Sequence, residues 1–470
     1  MRNTISYHSH LDGPANRGLP DGAAMREKIP RPVKRVLRPP VEAMRWLVRQ
    51  VRRLLRPFKP ERLATTATWL GELVRAFRRR RAEPRLTVAV DATPLWEPLT
   101  GVGWSLFRLI EAVADSDEVR LRLYGPTTIA TPDLVAPSVP LPSGPAIEHV
   151  LRQVPEGLSL PRGWVIERLR RLEPLLLAAD GNRVLYASNY FLPRRFALAR
   201  GQLVAMIHDL GLRKVPWTLA DETRQQLERH LDRTLSRARA LMTPSESVRA
   251  EIVEAGLAPA ANVTAVLHGP GQIAATPPGE LPPDLPPSFV LHVGTVEPRK
   301  NLAVVLDAWQ LLLERGRQPP VLVLVGKYGW KAESVRERIE AGEAAGWARA
   351  LGYVDEAGVS ALYRRARAVV MPTLYEGFGL PAIEALSVGT PLVASDIPVL
   401  REVAGDAALF APADAAADWA DQIVRLEEDA TLRQRLAQRG PERAADFDWQ
   451  RSGRQALSVW SRVADRESSP

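Results

Sequence analysis

Met371-Pro-Thr-Leu-Tyr-Glu-Gly-Phe-Gly-Leu-Pro-Ala-Ile-Glu-Ala-Leu-Ser-Val-Gly-Thr-Pro-Leu-Val-Ala-Ser-Asp396 joins two short apolar runs, Ala368-Val369-Val370 and Leu392-Val393-Ala394. Each run is β-leaning and continuous, the pattern of a strand buried on both faces. Pro372 and Thr373 end the first strand. Gly377 and Gly379, on either side of Phe378, let the backbone turn tightly and approach a ligand with no Cβ in the way. Leu380-Pro381 opens a helix, with proline in the first turn where its missing N–H costs nothing. The order strand, glycine loop, helix N-terminus, strand predicts a parallel sheet whose ligand edge offers free N–H groups to an anion.

Two carboxylates lie in this stretch, Glu376 on the loop and Glu384 early in the helix, where both can face one pocket. A site for phosphate alone has no use for two carboxylates beside its anion. A nucleotide-sugar site does, because carboxylates accept hydrogen bonds from vicinal hydroxyls of ribose and hexose. The plainer reading is that Glu376 caps the helix and Glu384 is a solvated helix residue.

Working outward, the 470 residues are 46% hydrophobic and 25% charged, ordinary for a globular protein and enough for two domains with sizeable cores. Without cysteine there is no disulfide and no thiolate metal site. The seven histidines show no metal-ligand spacing, and no metal is expected. No apolar run is long enough to span a bilayer, and the N-terminus lacks a signal-peptide core. A reducing, cytoplasmic compartment fits.

Net charge is +9, yet residues 1–85 alone hold 21 Lys/Arg against 7 Asp/Glu, so the remainder is net acidic. Residues 1–30 are polar and aperiodic and read as disordered. Val41, Met44, Leu47, Val48, Val51, Leu54 and Leu55 then recur at helical spacing among arginines, and Leu63, Ala67, Leu70, Val74 and Phe77 repeat the theme before Arg78-Arg79-Arg80-Arg81. Basic amphipathic helices carrying Trp46 and Trp69 suit an anionic membrane surface, here over residues 41–81. A helical hairpin packed on the body is the alternative. Nucleic acid is not expected, since no stacking module or binding motif accompanies the arginines.

The body begins with the strand Leu86–Asp91, followed by Gly101 and Gly103 in a loop before a helix. Leu121–Tyr124, Val184–Ala187, Leu203–Ile207, Ala240–Thr243 and Val263–Leu267 are further strands, whereas residues 126–160 carry little signal. His208 follows the third of these at the ligand edge of a parallel sheet, although a lone histidine is more often structural. Ser245 or Ser247 caps the next helix. A Pro-rich linker then leads to Phe289–Val293 and the loop Gly294-Thr-Val-Glu-Pro-Arg-Lys-Asn301. Arg299 and Lys300 beside a helix N-terminus can form a diphosphate site, or can be exposed loop charges. Val321–Val325 with Gly326 at its end, and Ala348–Asp355 containing Val354, supply two more strand ends. One helix is expected over Ala415–Leu436 and another over Trp449–Val463.

The segment E-G-F-G-L-P-x-x-E-A-L-x-x-G-x-P resembles the E-x7-E motif of the family-four retaining glycosyltransferases, and the resemblance runs over residues 86–463. It implies an α/β protein of GT-B fold, with two doubly wound Rossmann-like domains facing across a cleft and a basic helical N-terminal extension. The expected divisions are an extension over 1–85, an acceptor domain over 86–270, a linker over 271–286, a nucleotide-sugar domain over 287–448, and a C-terminal helix over 449–470 that crosses back to the first domain. The resemblance also implies roles. Arg299 and Lys300 hold the donor diphosphate, Glu376 and His208 the donor sugar, and Glu384 the ribose. Gly101 and Gly103 form the acceptor-side loop, while Gly326, Val354, Gly377, Phe378, Gly379 and Leu380 frame the donor. Two departures stand out: Thr295 replaces a common arginine, leaving Arg299 more of the load, and Pro244 replaces a common valine.

The combination of G-T-x-E-P-R-K-N and G-K-x-G-W resembles mannosyltransferases of bacterial polysaccharide assembly. It implies a nucleotide-sugar donor (GDP-mannose favoured) as co-substrate, no other cofactor, a polyprenyl-linked or oligosaccharide acceptor, and a place on the inner face of the cytoplasmic membrane. A nucleotide-sugar 2-epimerase on the same fold and a non-catalytic glycan-binding relative are the alternatives.

Overall fold

The computed structural model describes residues 60–96, 99–125, 137, 139–150, 162–282 and 285–465. Residues 1–30 and the amphipathic stretch 41–56 lie outside them. Among the described residues no helix is long and apolar enough to cross a membrane.

The chain divides into two compact units. One contains the helices Pro60–Arg81 and Arg162–Asp180, joined where Arg80 meets the Asp180 carboxylate at 3.1 Å and Arg81 donates to the Ala179 carbonyl at 3.0 Å. The other contains two all-parallel sheets, built from the alternation of short buried strands with helices.

The first sheet comprises β1 (Leu86–Asp91), β2 (Val119–Tyr124), β3 (Ile147–His149), β4 (Val184–Ala187), β5 (Gln202–Met206), β6 (Ala240–Thr243) and β7 (Val263–Ala265), in the order β3-β2-β1-β4-β5-β6-β7. The second comprises β8 (Phe289–Val293), β9 (Val321–Val325), β10 (Ala348–Gly352), β11 (Ala368–Met371), β12 (Leu392–Ser395) and β13 (Ala408–Ala411), in the order β10-β9-β8-β11-β12-β13. In each sheet the chain winds one way from its first strand and then reverses, so crevices open beyond the C-terminal ends of β1/β4 and β8/β11. The loop with Arg299 and Lys300 follows β8, and the loop with Glu376 follows β11. Topology therefore brings them to one edge.

Strand periodicity sorts the second core. Phe289, Leu291, Val323, Val369 and Met371 face one layer of helices, while Val290, Leu322, Leu324, Ala368 and Val370 face the other. The helix Trp449–Asp465 buries Ala456, Val459, Trp460 and Val463 against the first sheet, with Trp460 edge-on to Tyr186 at 5.4 Å.

Three expectations need correction. The low-signal region holds β3, a three-residue edge strand too short to leave a periodic pattern. Ala408–Ala411 is a strand that only pairing with β12 makes visible. The helix over Ala415–Leu436 is two helices, Ala416–Glu428 and Ala430–Ala444, because the Asp429 carboxylate caps the second by accepting from the Leu432 N–H at 2.8 Å. The Pro-rich linker, read as semi-rigid, is tied to the second sheet's helices. Ser360 donates to the Thr276 carbonyl at 2.8 Å, and the Gly279 N–H to the Ala357 carbonyl at 2.8 Å.

If the last helix anchors the first sheet as described, Trp460→Ala leaves a large cavity and destabilises the protein by about 3–5 kcal/mol. Chemical denaturation checks this, and an unchanged midpoint would place the indole outside the core.

Candidate active site

The strongest interaction at the sheet edge is a buried carboxylate shared by two cations. After β8 the chain makes a short 3₁₀ turn, Pro298–Lys300, and Asn301 in the left-handed region (φ +52°) redirects it into the helix Leu302–Glu314. That geometry aims both cations at the loop after β11. Lys300 Nζ lies 2.5 Å from Glu376 Oε1, and an Arg299 Nη lies 3.1 Å from Glu376 Oε2. Arg299 also donates to the Tyr375 carbonyl at 3.1 Å and pairs with Glu297 at 2.9 Å. The Thr373 hydroxyl lies 3.1 Å from Glu376 Oε1. Burial alone would raise the Glu376 pKa, but Lys300 and Arg299 overcome it and hold the carboxyl down at about 2. Burial works against the Arg299 charge too, and Glu376, Asp209 and Glu297 more than restore it.

The glycines explain how the loop fits. A Cβ on Gly377 would sit 1.8 Å from the His208 carbonyl oxygen, so only glycine allows the approach. Gly379 adopts φ +96° as the residue before the helix Leu380–Ser387, whose N-terminus has no side-chain cap. Pro381 carries no N–H and the Ala382 N–H donates to the Gly379 carbonyl at 2.9 Å, which among the described residues leaves the Leu380 N–H of this turn for a ligand.

The same loop reaches the first sheet. The Ser245 hydroxyl donates to the Gly377 carbonyl at 2.7 Å, while Ser245 caps its own helix by accepting from the Val248 N–H. The Tyr375 hydroxyl accepts from the Leu210 N–H at 2.9 Å and donates to Glu251 at 2.7 Å. Nearby, Glu402 accepts from the N–H groups of Glu246 and Ser247 at 2.7 and 2.8 Å, capping a helix of the first sheet's layer from the second.

The predicted residues therefore fall into groups. Arg299, Lys300 and Glu376 form one cluster; Gly377 meets His208; and Gly101 faces the Leu380 side chain. Gly326 backs onto the Gly294 carbonyl at the adjacent strand end. Gly101 and Gly103, expected in a loop before a helix, instead form the first turn of the helix Gly101–Ala112, where Gly103 packs on Leu99; Val354, just beyond β10, packs by Gly358. Glu384 and Glu376, read as facing one pocket, have separate partners. Glu384 Oε2 accepts from the Tyr363 hydroxyl at 3.0 Å, and Oε1 lies where a Cβ on Gly271 would be. Burial pushes the Glu384 carboxyl up to about 7 against the Tyr363 bond, which lowers it. His208 donates Nε2–H to the Ser188 carbonyl at 2.8 Å, and burial lowers its pKa.

Sequence reasoning passed over four residues. Tyr375 read as a spacer in the motif, and Glu402 has no local signal at all. His268 and His292 had one: each lies in or just after a strand near the ligand edge, as His208 does. His292 donates Nδ1–H to the Val370 carbonyl at 3.2 Å, and burial lowers its pKa to about 4.

Glu384 sets a pH dependence. Its folded pKa lies above the unfolded one, so the folded form binds the extra proton between about pH 4.5 and 7 and loses stability as pH rises through that window. Glu384→Gln cannot ionise. Wild type should therefore lose melting temperature relative to the variant from pH 5 to 7.5, and a constant difference would contradict the shift.

Comparison with known proteins adds the class. Residues 278–443 match the family described as glycosyl transferases group 1. Over 391 residues the chain is 31% identical to O-antigen chain mannosyltransferase B of Escherichia coli, covering 78% of this chain and 97% of that protein. It is 35% identical over 179 residues to a phosphatidyl-myo-inositol mannosyltransferase of Mycobacterium leprae, 37% of this chain and 46% of the relative. The fold is that of a sucrose-phosphate synthase from Thermosynechococcus elongatus, with a TM-score of 0.60 at 22% identity over 82% of this chain and 100% of the other, which makes the architecture GT-B. With almost the whole length of the Escherichia coli protein matched, this chain belongs to the group 1 glycosyltransferases.

Proposed function

We propose that the chain moves mannose from a nucleoside-diphosphate sugar, GDP-mannose, to a lipid-linked or oligosaccharide acceptor in bacterial polysaccharide assembly, retaining the anomeric configuration and using no metal ion. The observation that carries this reading is the convergence of Arg299 and Lys300 on one edge, beside the uncapped N-terminus of the helix Leu380–Ser387. A diphosphate leaving group needs such fixed positive charge, worth several kcal/mol when preorganised. The names of the Escherichia coli and Mycobacterium leprae relatives support mannose and a lipid or glycan acceptor.

In this mechanism the sugar–phosphate C–O bond breaks while the acceptor oxygen bonds the same carbon from the same face. The acceptor's proton passes to the leaving phosphate oxygen, so no enzymic nucleophile is required. Glu376 keeps both cations in place, since Lys300 and Thr373 take Oε1 and Arg299 takes Oε2, which leaves one lone pair of Oε2 for a sugar hydroxyl. Glu384 accepts from ribose hydroxyls. The contacts of Tyr375 and Ser245 with the first sheet's layer close the site against water, which favours transfer over hydrolysis.

A screen of nucleotide sugars with product analysis tests the reading. GDP-mannose should give an α-linked product at a rate unaffected by EDTA. Lys300→Ala and Arg299→Ala should each lower transfer by about a hundredfold. Free nucleotide without transferred sugar would favour the epimerase, and binding without turnover the non-catalytic relative.

We also infer attachment to an anionic membrane face through residues 41–81, supported by the exposed Arg75, Arg78 and Arg79 on the helix Pro60–Arg81. Full-length protein should sediment with anionic liposomes at low salt and release as salt rises. Indifference to liposomes, or tight nucleic-acid binding instead, would overturn it.

A further inference from the structure

The residue left unexplained is His268, just beyond β7. It is 4% exposed, and nothing in the sugar-transfer scheme uses it. Its ring sits among aromatic neighbours from three parts of the fold. Ring centres lie 5.3 Å from Phe378, 5.7 Å from His208 and 5.2 Å from Trp449. The backbone on either side is pinned by the last helix, since Ser452 bonds the Leu267 carbonyl and Trp449 Nε1–H donates to the Pro270 carbonyl at 2.8 Å. A Cβ on Gly269 would strike the Trp449 ring at 2.6 Å, so the strand end has little freedom to shift.

Hydrogen-bond chemistry fixes the tautomer. Ser105 Oγ lies 2.6 Å from the Gly101 carbonyl and 3.2 Å from His268 Nδ1. A carbonyl only accepts, so the single hydroxyl proton of Ser105 goes to Gly101. Ser105 Oγ must then accept, and the proton of the imidazole lies on Nδ1. His268 Nε2 is left as a buried acceptor with no partner among the described residues. Burial and the neighbouring His208 hold the ring neutral, which agrees with an unprotonated Nε2. A buried acceptor without a partner asks for an explanation beyond packing, because an apolar ring would fill the same space without that cost. The other end of the ring supplies one: Nδ1–H begins a chain through Ser105 to Gly101, the first residue of the helix Gly101–Ala112.

We propose that His268, with its proton on Nδ1, is a positioning residue for sugar transfer, linking Phe378 of the donor loop through Ser105 to Gly101 at the start of its helix. Phe378 lies between the two glycines after Glu376, so a shift of the donor loop moves the ring against His268. Ser105 passes that shift to the first turn of the helix that faces Leu380. The link joins the glycine loop after Glu376 to the first turn of the helix Gly101–Ala112. Its contribution to rate rests on the transferase reading above, but the tautomer does not.

Two measurements test it. Nitrogen NMR of histidine-labelled wild-type enzyme should show His268 neutral and protonated on Nδ1, the minor tautomer of free imidazole in water, and Ser105→Ala should release it to the Nε2–H form. A protonated ring or an Nε2–H tautomer in wild type overturns the proposal whatever the substrate proves to be. In the transfer assay with GDP-mannose, Ser105→Ala and His268→Phe should each lower kcat by about ten- to a hundredfold with little change in donor KM, as small misplacements of reacting groups do. The double variant should be no slower than the slower single one, because both substitutions cut the same link. Multiplying losses, or a fall confined to donor KM, would show that the two residues act separately. Absence of transfer in wild type would count against the mannose reading alone, leaving the NMR result to decide the link.

Discussion

Everything at the ligand edge depends on Glu376 standing between Lys300 and Arg299. A carboxylate this buried would favour its neutral form, and two cations this close would repel. Together they make a cluster in which each charge is tolerable because of the others. The cluster joins the loops after β8 and β11, the neighbouring strands at which the second sheet reverses its winding. On the proposed reading, this cation pair, held by a carboxylate that is itself fixed, meets the diphosphate of the donor.

The same loop extends this order to the first sheet's layer. Tyr375, Gly377 and Phe378 each take a partner there: the Leu210 N–H and Glu251, the Ser245 hydroxyl, and the His268 ring. Glu402 adds a helix cap supplied from the opposite layer. A few consecutive residues thus pair with the cations, shape the turn and hold the two layers together.

Much of this was legible in the sequence. Short β-branched runs alternating with helical patterns located eleven of the strands, and the cations and glycines were found because each sat at the C-terminal end of such a run. What stayed hidden depends on contacts distant in sequence. β3 and β13 are edge strands too short to carry a period, and Asp429 breaks a helix through a cap that looks like any acidic residue. Glu376 and Glu384 lie eight positions apart, and spacing alone could not show that one meets two cations while the other turns to Tyr363. His268 was visible by the rule that found His208, but its meaning required Ser105, Gly101 and Phe378, which lie far from it in the chain.

The most direct measurement is a crystal structure of the protein with GDP bound. The diphosphate should lie in the crevice beyond β8 and β11, with its oxygens within hydrogen-bonding distance of Arg299, Lys300 and the Leu380 N–H at the start of the helix Leu380–Ser387. A diphosphate bound elsewhere, with both cations still paired to Glu376 alone, would contradict the site.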